Sequence, residues 1–246
     1  MDKSMTAVDK GGTATIESAR PVASMHPPIE FREVTGSTDW HHIQALREAI
    51  YVTAENRIGE ETGFYGSFDQ YDNYSKWFLA MSEGRAVGCV KVIRDSDIGL
   101  PYETIIGRQK RAPGKVVAEI GHLLSLSGPM STPVVLGLMR ESFAYCVNQL
   151  GATSVVGDVF LDKSKGDAFY RRIGFTTLHG PYRDPRFVDA PLSMIIILEV
   201  ASLALRMRQS KGMLNDLLCY LTGGCNDPEI RRAAGESARR SECHCE

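Results

Sequence analysis

Apolar and polar positions in the first third of the chain predict a strand, a helix and a hairpin in succession. Ile29–Val34 alternates apolar with charged residues, which is typical of a half-buried strand. From Trp40 onward apolar residues recur at helical spacing, and Ser37–Asp39 offers side chains that can cap the start of that helix. Lys76–Ala80 and Ala86–Ile93 predict two strands joined by a glycine-containing turn.

The middle of the chain predicts buried strands that alternate with helices. Val116–Leu126 predicts an apolar strand, and Thr153–Phe160 is sufficiently β-branched and apolar to be buried on both faces. Between these strands the pattern predicts a helix with Pro133 at its first helical position. A shorter helix is predicted over Gly166–Arg172, and Gly174 should end it and return the chain to extended structure.

The last third of the chain predicts a closing strand and an appendage. Leu178–Ala190 is rich in turn-forming residues and predicts a loop, whereas Pro191–Val200 predicts a strand. Leucine and methionine recur after Ala201 as in a helical appendage, and Asp227–Glu246 is polar and expected to be loose. The whole pattern predicts an α/β fold, with a central mixed sheet flanked by helices and a C-terminal helical tail.

Composition allows one sizeable core and excludes several classes of function. Of the 246 residues 43% are hydrophobic, which fits one catalytic domain at about 29–200 and an appendage at 201–246. A net charge of −2 argues against a protein that binds nucleic acid generally. Residues 1–28 are polar and small, so we expect them to form a disordered leader.

Apolar runs and cysteines indicate the compartment. No apolar run is long enough for a transmembrane segment, and Met1–Arg20 lacks the apolar stretch of a secretory signal. Cys243, His244 and Cys245 follow no zinc-binding spacing, so no metal site is predicted. We therefore expect a cytoplasmic protein whose cysteines are reduced.

Charged residues within apolar elements are the candidates for a functional site. Glu119 lies in the middle of a strand among apolar neighbours, which would raise its pKa and suit it to act as a general base. Alternatively, Glu119 is a structural carboxylate paired with Arg47 or Lys91. Asp69 and Asp72 lie close together in a long loop among aromatic residues, where they can accept hydrogen bonds from a cation.

The strand and helix that lead into the segment FYRRIGF resemble the acyl-thioester-binding half of the GNAT acyltransferase superfamily. The segment carries Phe169 and Tyr170 on the helix, followed by Gly174 and Phe175. The resemblance implies that this helix lies beside the thioester arm of an acyl donor, with Phe169 and Tyr170 in contact with it. The alternative is that both aromatic side chains belong only to the core.

A second set of motifs resembles acyl-homoserine lactone synthases and, more closely, N-acyl amino acid synthases. The motifs are a helix with Arg47 and Tyr51, the segment FDQYD at 68–72, and a hairpin with Gly88 and Lys91. Those families carry Glu-x-x-Arg on the following strand, and Glu119 and His122 stand in these positions here. Lys91 and His122 both replace a usual arginine, which keeps a nitrogen donor but not the guanidinium fork.

The resemblance implies transfer of a fatty acyl group from an acyl-carrier-protein thioester to the amine of an amino acid. Glu119 would take the proton of the amine, and Tyr170 would protonate the departing thiolate. Backbone N–H groups around the next part of the strand would bind the oxyanion: Leu124, Ser125 and Leu126. The implied substrate site consists of Arg47, Asp69, Asp72, Lys91 and His122, with the two aspartates holding Arg47 and Lys91.

The start of the long helix bears on the acyl donor. Coenzyme-A-dependent members of the superfamily hold the pyrophosphate on a run of amides there, whereas Ser127–Pro133 has two prolines and one glycine. The expected donor is therefore the acyl-phosphopantetheine of an acyl-carrier protein, with no bound cofactor. Arg108, Lys110 and Arg111 would steer docking of this acidic partner, unless they only form a solvated loop.

Two other functions stay open at the level of sequence. One is an acyl-coenzyme-A-dependent N-acetyltransferase of small molecules, which the poor pyrophosphate site disfavours. The other is a non-catalytic binding module on the same fold, which the replacement of two arginines allows.

Overall fold

The computed structural model describes residues 27–55, 70–108, 111–161, 166–188 and 190–242. The strands are β1 (Glu30–Glu33), β2 (Ser75–Ser82), β3 (Arg85–Arg94), β4 (Val117–Ser125), β5 (Ser154–Phe160), β6 (Thr176–Arg183) and β7 (Leu192–Glu199). The helices are α1 (Ser37–Arg47), α2 (Glu103–Ile106), α3 (Ser131–Asn148), α4 (Gly166–Ile173), α5 (Val200–Gln209), α6 (Met213–Thr222) and α7 (Pro228–Glu242). A π-helical segment, Glu48–Ala54, continues α1, and a 3₁₀ turn, Asp72–Tyr74, precedes β2.

The described strands form one mixed sheet with a hydrophobic core on each face. Their order across the sheet is β1, β2, β3, β4, β5, β7 and β6, and β4 with β5 is the parallel pair. The larger core lies under α3 and includes apolar residues of α5, α6 and α7. The opposite face packs against α1, with Ile43 and Leu46 buried on Trp77 and Leu79. The sheet flanked by helices that the apolar pattern predicts is therefore confirmed.

The two parallel strands stay paired over only the first half of their length. Their register runs from Val117 opposite Ser154 to Ile120 opposite Gly157, and beyond this point no pairing joins them. On the other side of β4, Cys89–Lys91 of β3 faces the longer stretch Gly121–Leu124, so β4 carries an extra residue. Such a bulge bends its strand, and here it accompanies the opening of a cleft between β4 and β5.

The bulge decides which face of the sheet His122 occupies. Its backbone has a φ of +48°, an uncommon value for a residue other than glycine. Glu119 lies opposite Ile93, and Trp77 lies opposite Lys91, which puts Glu119 and Trp77 on one face. Because the His122 ring stacks on Trp77, it also lies on that face, although regular alternation would place it on the other.

Both long helices begin differently from the prediction. The N-cap position of α1 is Gly36, and no side chain caps the helix there. Asp39 instead forms an ion pair with Arg32 at 2.7 Å and accepts the Thr35 N–H at 3.0 Å, so it anchors the preceding turn. The helix α3 begins at Ser131, which makes Pro133 its third residue rather than its first.

The segment predicted as a loop after Leu178 is largely a strand. Leu178–Arg183 belongs to β6, because β7 supplies a paired neighbour along its length. Register shifts accompany its glycine and proline, which explains why its composition is that of a turn. The true loop is confined to the stretch between β6 and β7, and Arg186 lies in that stretch.

The C-terminal helices belong to the main core. The expectation of a loose segment from Asp227 is wrong for Pro228–Glu242, which forms α7. Ile230 is 1% exposed and Ala233 is 0% exposed, and both join the core under α3. The side chain of Asp227 caps the helix by accepting the N–H groups of Glu229 and Ile230. A narrow apolar stripe therefore orders a helix whose average composition is polar.

Arg206 of α5 connects these helices to α4. Its guanidinium donates to the carbonyl oxygens of Arg172 at 3.0 Å and Arg171 at 3.2 Å, at the end of α4. Gly174 then ends the helix with a φ of +116°, and a Cβ there would lie 3.3 Å from the Arg206 side chain. Glycine is thus required by both the backbone conformation and the close approach of Arg206.

Several predictions concern residues outside the described ranges. These are most of the leader (1–26), Asp69, Lys110 and the segment 243–246. In the described ranges, no helix is both long and apolar enough to cross a membrane. The same ranges hold no group of three or more His, Cys, Asp or Glu side chains placed to bind a metal ion.

Candidate active site

A cavity of about 220 Å³ occupies the cleft between β4 and β5 and reaches both faces of the sheet. Its half on the α3 side is apolar and is lined by Met139, Tyr170, Phe175 and Ile196. Its half on the α1 side carries the polar side chains Glu119, His122, Asp158 and Arg186, beside aromatic residues of the α1-side core. A chain with an apolar end and a polar end fits such a cavity.

Glu119 is a buried carboxyl at the point where the two strands diverge. It is 3% exposed, and its Oε2 accepts the backbone N–H of Tyr102 at 2.9 Å. Burial raises the pKa of Glu119 from its ordinary value of 4.5 to about 8, and the N–H of Tyr102 and the charge of Arg186 lower it only in part. This pKa is suited to a general base, because the group can both take and release a proton near neutral pH.

Replacing Glu119 with glutamine should change the melting temperature in a pH-dependent way. A carboxyl with a raised pKa stabilises the folded protein while it is protonated, so this contribution is complete below about pH 4.5 and is lost as the pH rises to about 8. Glutamine cannot ionise, so the Tm of Glu119→Gln relative to the wild type should rise over that interval, by roughly 10 °C. Melting curves from pH 5 to 9 measure this, with Glu141→Gln on α3 as a control. A difference that does not vary with pH would contradict the raised pKa.

A second group of polar side chains lies on the same face, around Trp77. The Lys91 side chain is 0% exposed, and its Nζ binds Asp72 at 2.6 Å and lies 5.3 Å from the centre of the Trp77 ring. The predicted pairing of Asp72 with Lys91 is thereby confirmed, and Lys91 has its carboxylate partner in Asp72 rather than Glu119. Arg47 is also buried, at the end of α1.

His122 is held as a neutral ring between aromatic neighbours. It stacks on Trp77 with 5.4 Å between ring centres, and its Nδ1 lies 3.3 Å from the hydroxyl of Tyr51. Burial lowers the pKa of His122 well below its usual value, and the charges of Arg47 and Lys91 lower it further. His122 therefore offers a hydrogen-bonding ring at neutral pH, and not the positive charge of an arginine.

A buried cluster that the sequence pattern did not reveal lies on the polar side of the cavity. Arg186 donates to both oxygens of Asp184, at 2.8 and 2.6 Å, and also pairs with Asp158. Tyr182 donates its hydroxyl to the same Oδ2 of Asp158 at 2.6 Å. One signal was present, because Asp158 is the single charged residue of the apolar segment Thr153–Phe160.

The aromatic residues of α4 lie on the apolar side of the cavity. Tyr170 lines the cavity, and its ring meets the rings of Phe169 and Phe175 edge to face, with centres 5.4 and 5.6 Å away. Burial raises the pKa of Tyr170 to about 12, so the hydroxyl keeps its proton at neutral pH. The structure thus brings Tyr170 into the same cavity as Glu119.

The three amides predicted to bind an oxyanion are not equivalent. The N–H of Leu126 donates to the Val87 carbonyl of β3 at 3.0 Å, so it is already engaged and cannot serve. Successive amides of an antiparallel strand point in opposite directions, and Ser125 is the next residue, opposite Gly88. The N–H of Ser125 therefore points away from β3, although Ser125 itself does not line the cavity, whereas Leu124 does.

The basic run holds its own loop together. Arg108 donates to the carbonyl oxygens of Asp97 and Ser96, at 2.7 and 3.2 Å. Arg111 forms ion pairs with Asp95 and Glu103, both at 3.0 Å. These contacts give both arginines a structural role. Docking of a carrier protein on this run stays a prediction.

The start of α3 offers few backbone donors. The N–H of Ser131 is bonded to the carbonyl of Gly128 at 3.1 Å, and Pro133 has no N–H. Two of the first three helical positions therefore cannot donate to a phosphate. This agrees with the sequence argument against a pyrophosphate site at this helix.

Comparison with known proteins identifies relatives of the chain. The family model described as N-acyl amino acid synthase FeeM matches residues 42–197. The solved structure of FeeM, an N-acyl amino acid synthase from uncultured soil microbes, is 17% identical with a TM-score of 0.61, and the match covers 74% of this chain and 95% of FeeM. None of the curated proteins gives a significant match.

More distant structures share the fold. An acyl-CoA N-acyltransferase from Pseudomonas aeruginosa is 14% identical with a TM-score of 0.50, over 70% of this chain and 99% of that one. An acetyltransferase of the GNAT family from Staphylococcus aureus is 13% identical with a TM-score of 0.50, over 70% and 99% of the two chains. The predicted GNAT-like fold is thereby confirmed.

Proposed function

Because the chain belongs to the family of N-acyl amino acid synthases, we propose that it transfers a fatty acyl group from an acyl-carrier-protein thioester to the amine of an amino acid. One observation carries this proposal: a cavity with one apolar half and one half that carries polar side chains, with the buried carboxyl of Glu119 in the second half. The acyl chain occupies the apolar half, and the amine enters from the polar half.

The reaction joins nitrogen to the carbonyl carbon and breaks the carbon–sulfur bond. The neutral amine attacks the thioester, and Glu119 takes the proton that nitrogen loses, directly or through a water molecule. The carbonyl oxygen gains negative charge and is met by the N–H of Ser125, which points away from β3. The thiolate leaves, and Tyr170, which is protonated at neutral pH, returns a proton to it.

The choice of a carrier protein as donor rests on the start of α3. A phosphopantetheine arm carries a single phosphate, whereas coenzyme A brings a pyrophosphate that needs several amides. The N–H of Ser131 is already engaged and Pro133 has no N–H, so the pyrophosphate of coenzyme A finds few amides to bind. Arg108 and Lys110 are the proposed docking cations, and Arg111 is set aside because it holds Glu103 and Asp95.

Acyl-carrier thioesters should be used better than acyl-coenzyme A of the same chain length, by roughly 100-fold in kcat/KM. Steady-state rates with both donors and a mixture of the standard amino acids measure this ratio, and mass spectrometry identifies the product. An acyl-pantetheine without carrier or nucleotide is the control, and it should be as poor as acyl-coenzyme A. Equal use of the first two donors would favour the coenzyme-A-dependent alternative, and turnover with either one excludes a non-catalytic module.

A further inference from the structure

Asp158 lies beside Glu119 on the polar face of the cavity. Glu119 stands opposite Val156 in the parallel register, and Asp158 follows two residues later on the same face of β5. This is the position at which β4 and β5 separate, and both side chains line the cavity. The two carboxyl groups influence each other, since the charge of Asp158 raises the pKa of Glu119.

Among the residues that the structure describes, the cluster around Asp158 holds two aspartates and one arginine. Asp184 is 0% exposed and binds Arg186 through both of its oxygens, which already matches the single charge of Arg186. Asp158 shares Arg186 and receives the hydroxyl of Tyr182, but both contacts go to its Oδ2. Within the described ranges, its Oδ1 is buried and has no hydrogen-bond donor.

We propose that Asp158 holds the ammonium group of the acceptor in the polar half of the cavity. The inference rests on the proposed function and names the residue that recognises the amine. An ammonium group supplies N–H donors to the carboxylate oxygen that lacks one, and its charge balances the second aspartate of the cluster. Tyr182 and Arg186 hold the carboxylate through its Oδ2, which leaves Oδ1 for the ammonium group.

The arrangement divides two tasks between two carboxyl groups. An amino acid arrives with its amine protonated, and in this form it cannot attack a thioester. Asp158 binds that form, which gives up one proton to water to become the neutral amine, and Glu119, which lies on the neighbouring strand, takes the second proton as nitrogen attacks. Asp158 is thus an acceptor-binding residue, and Glu119 remains the proposed base.

Binding of n-octylammonium and n-octanol tests the proposal without acyl transfer. Both probes place an alkyl chain in the apolar half, and only the first brings a positive charge to the polar half. The fluorescence of Trp77, which stacks on the cavity residue His122, reports binding. The wild type should bind octylammonium roughly tenfold tighter or more, because a hydrogen bond to a charged group contributes about 1.5–3 kcal/mol.

Asp158→Asn should reduce this preference to near equality, and Asp158→Ser gives the same test if the first variant does not fold. Asp39→Asn is the matched control, because it removes the charge of a buried, arginine-paired aspartate that does not line the cavity, and it should keep the preference. A wild type that binds both probes equally, or a preference that survives at Asp158→Asn and disappears at Glu119→Gln, would overturn the proposal. A protein that passes this binding test but acylates no amino acid would contradict only the proposed function.

Discussion

Replacing Glu119 with glutamine should lower kcat by roughly 100- to 10,000-fold and leave the fold intact, because glutamine cannot take a proton at neutral pH. The side-chain oxygen of glutamine can still accept the N–H of Tyr102, which is the hydrogen bond that Glu119 makes at 2.9 Å. Packing and backbone position should therefore survive the change. The loss falls on the chemical step, and the KM for the acyl donor should change little.

The pH dependence separates a base from a structural carboxylate. For the wild type, kcat/KM for the acceptor should rise with pH and level off above about 8, where Glu119 is ionised. The ionisation of the acceptor amine affects the wild type and Glu119→Gln alike. The difference between their pH profiles therefore reports the ionisation of Glu119. A variant with near-normal kcat and an unchanged acidic limb would remove Glu119 from the mechanism. His122 would then be the next base, because the bulge places it on the same face.

Deleting residues 228–246 should destabilise the protein by at least about 3 kcal/mol, because it uncovers the core under α3. Ile230 alone is 1% exposed, and removal of a buried isoleucine side chain typically costs about 2–5 kcal/mol. The ion pairs of Arg208 with Glu229 and Glu236 are also lost, but they lie near the surface and contribute little.

Urea unfolding of this deletion and three further variants measures the contribution of α7. A shorter deletion of residues 243–246 should leave the unfolding free energy near that of the wild type. Ile230→Ala should reproduce most of the loss, whereas Arg232→Ala, in the same helix with its side chain 61% exposed, should not. If deletion of the whole helix leaves the unfolding midpoint unchanged, α7 does not contribute to the core in solution.

Local patterns in the sequence were sufficient for the fold class and for singling out Glu119 as a buried carboxyl. The hairpin, the buried strands and the glycine that ends α4 each depend on neighbouring residues, so a short segment carries the full signal. Glu119 stood out because a carboxyl group in an apolar strand is costly unless it has a function or a partner. The match over residues 42–197 confirms the family that the motifs indicated.

The rest of the site depends on contacts between distant segments. The face of His122 follows from the register between β3 and β4, which no single strand reveals. Asp158 and Arg186 lie 28 positions apart and meet only because β6 and β7 fold back on β5. The average composition of the α7 segment concealed its apolar stripe, because Ile230 and Ala233 lie among many charged residues.

The hydrogen bonds of Arg206 show that residues beyond the family match support the cavity. The family match stops at residue 197, yet the carbonyl end of the helix that carries Tyr170 is tied to a side chain beyond that point. A protein shortened to the family match would keep every residue assigned to the reaction. It would lose the hydrogen bonds of Arg206 that hold one wall of the cavity. The segment that matches the family is therefore shorter than the segment that holds the cavity wall in place.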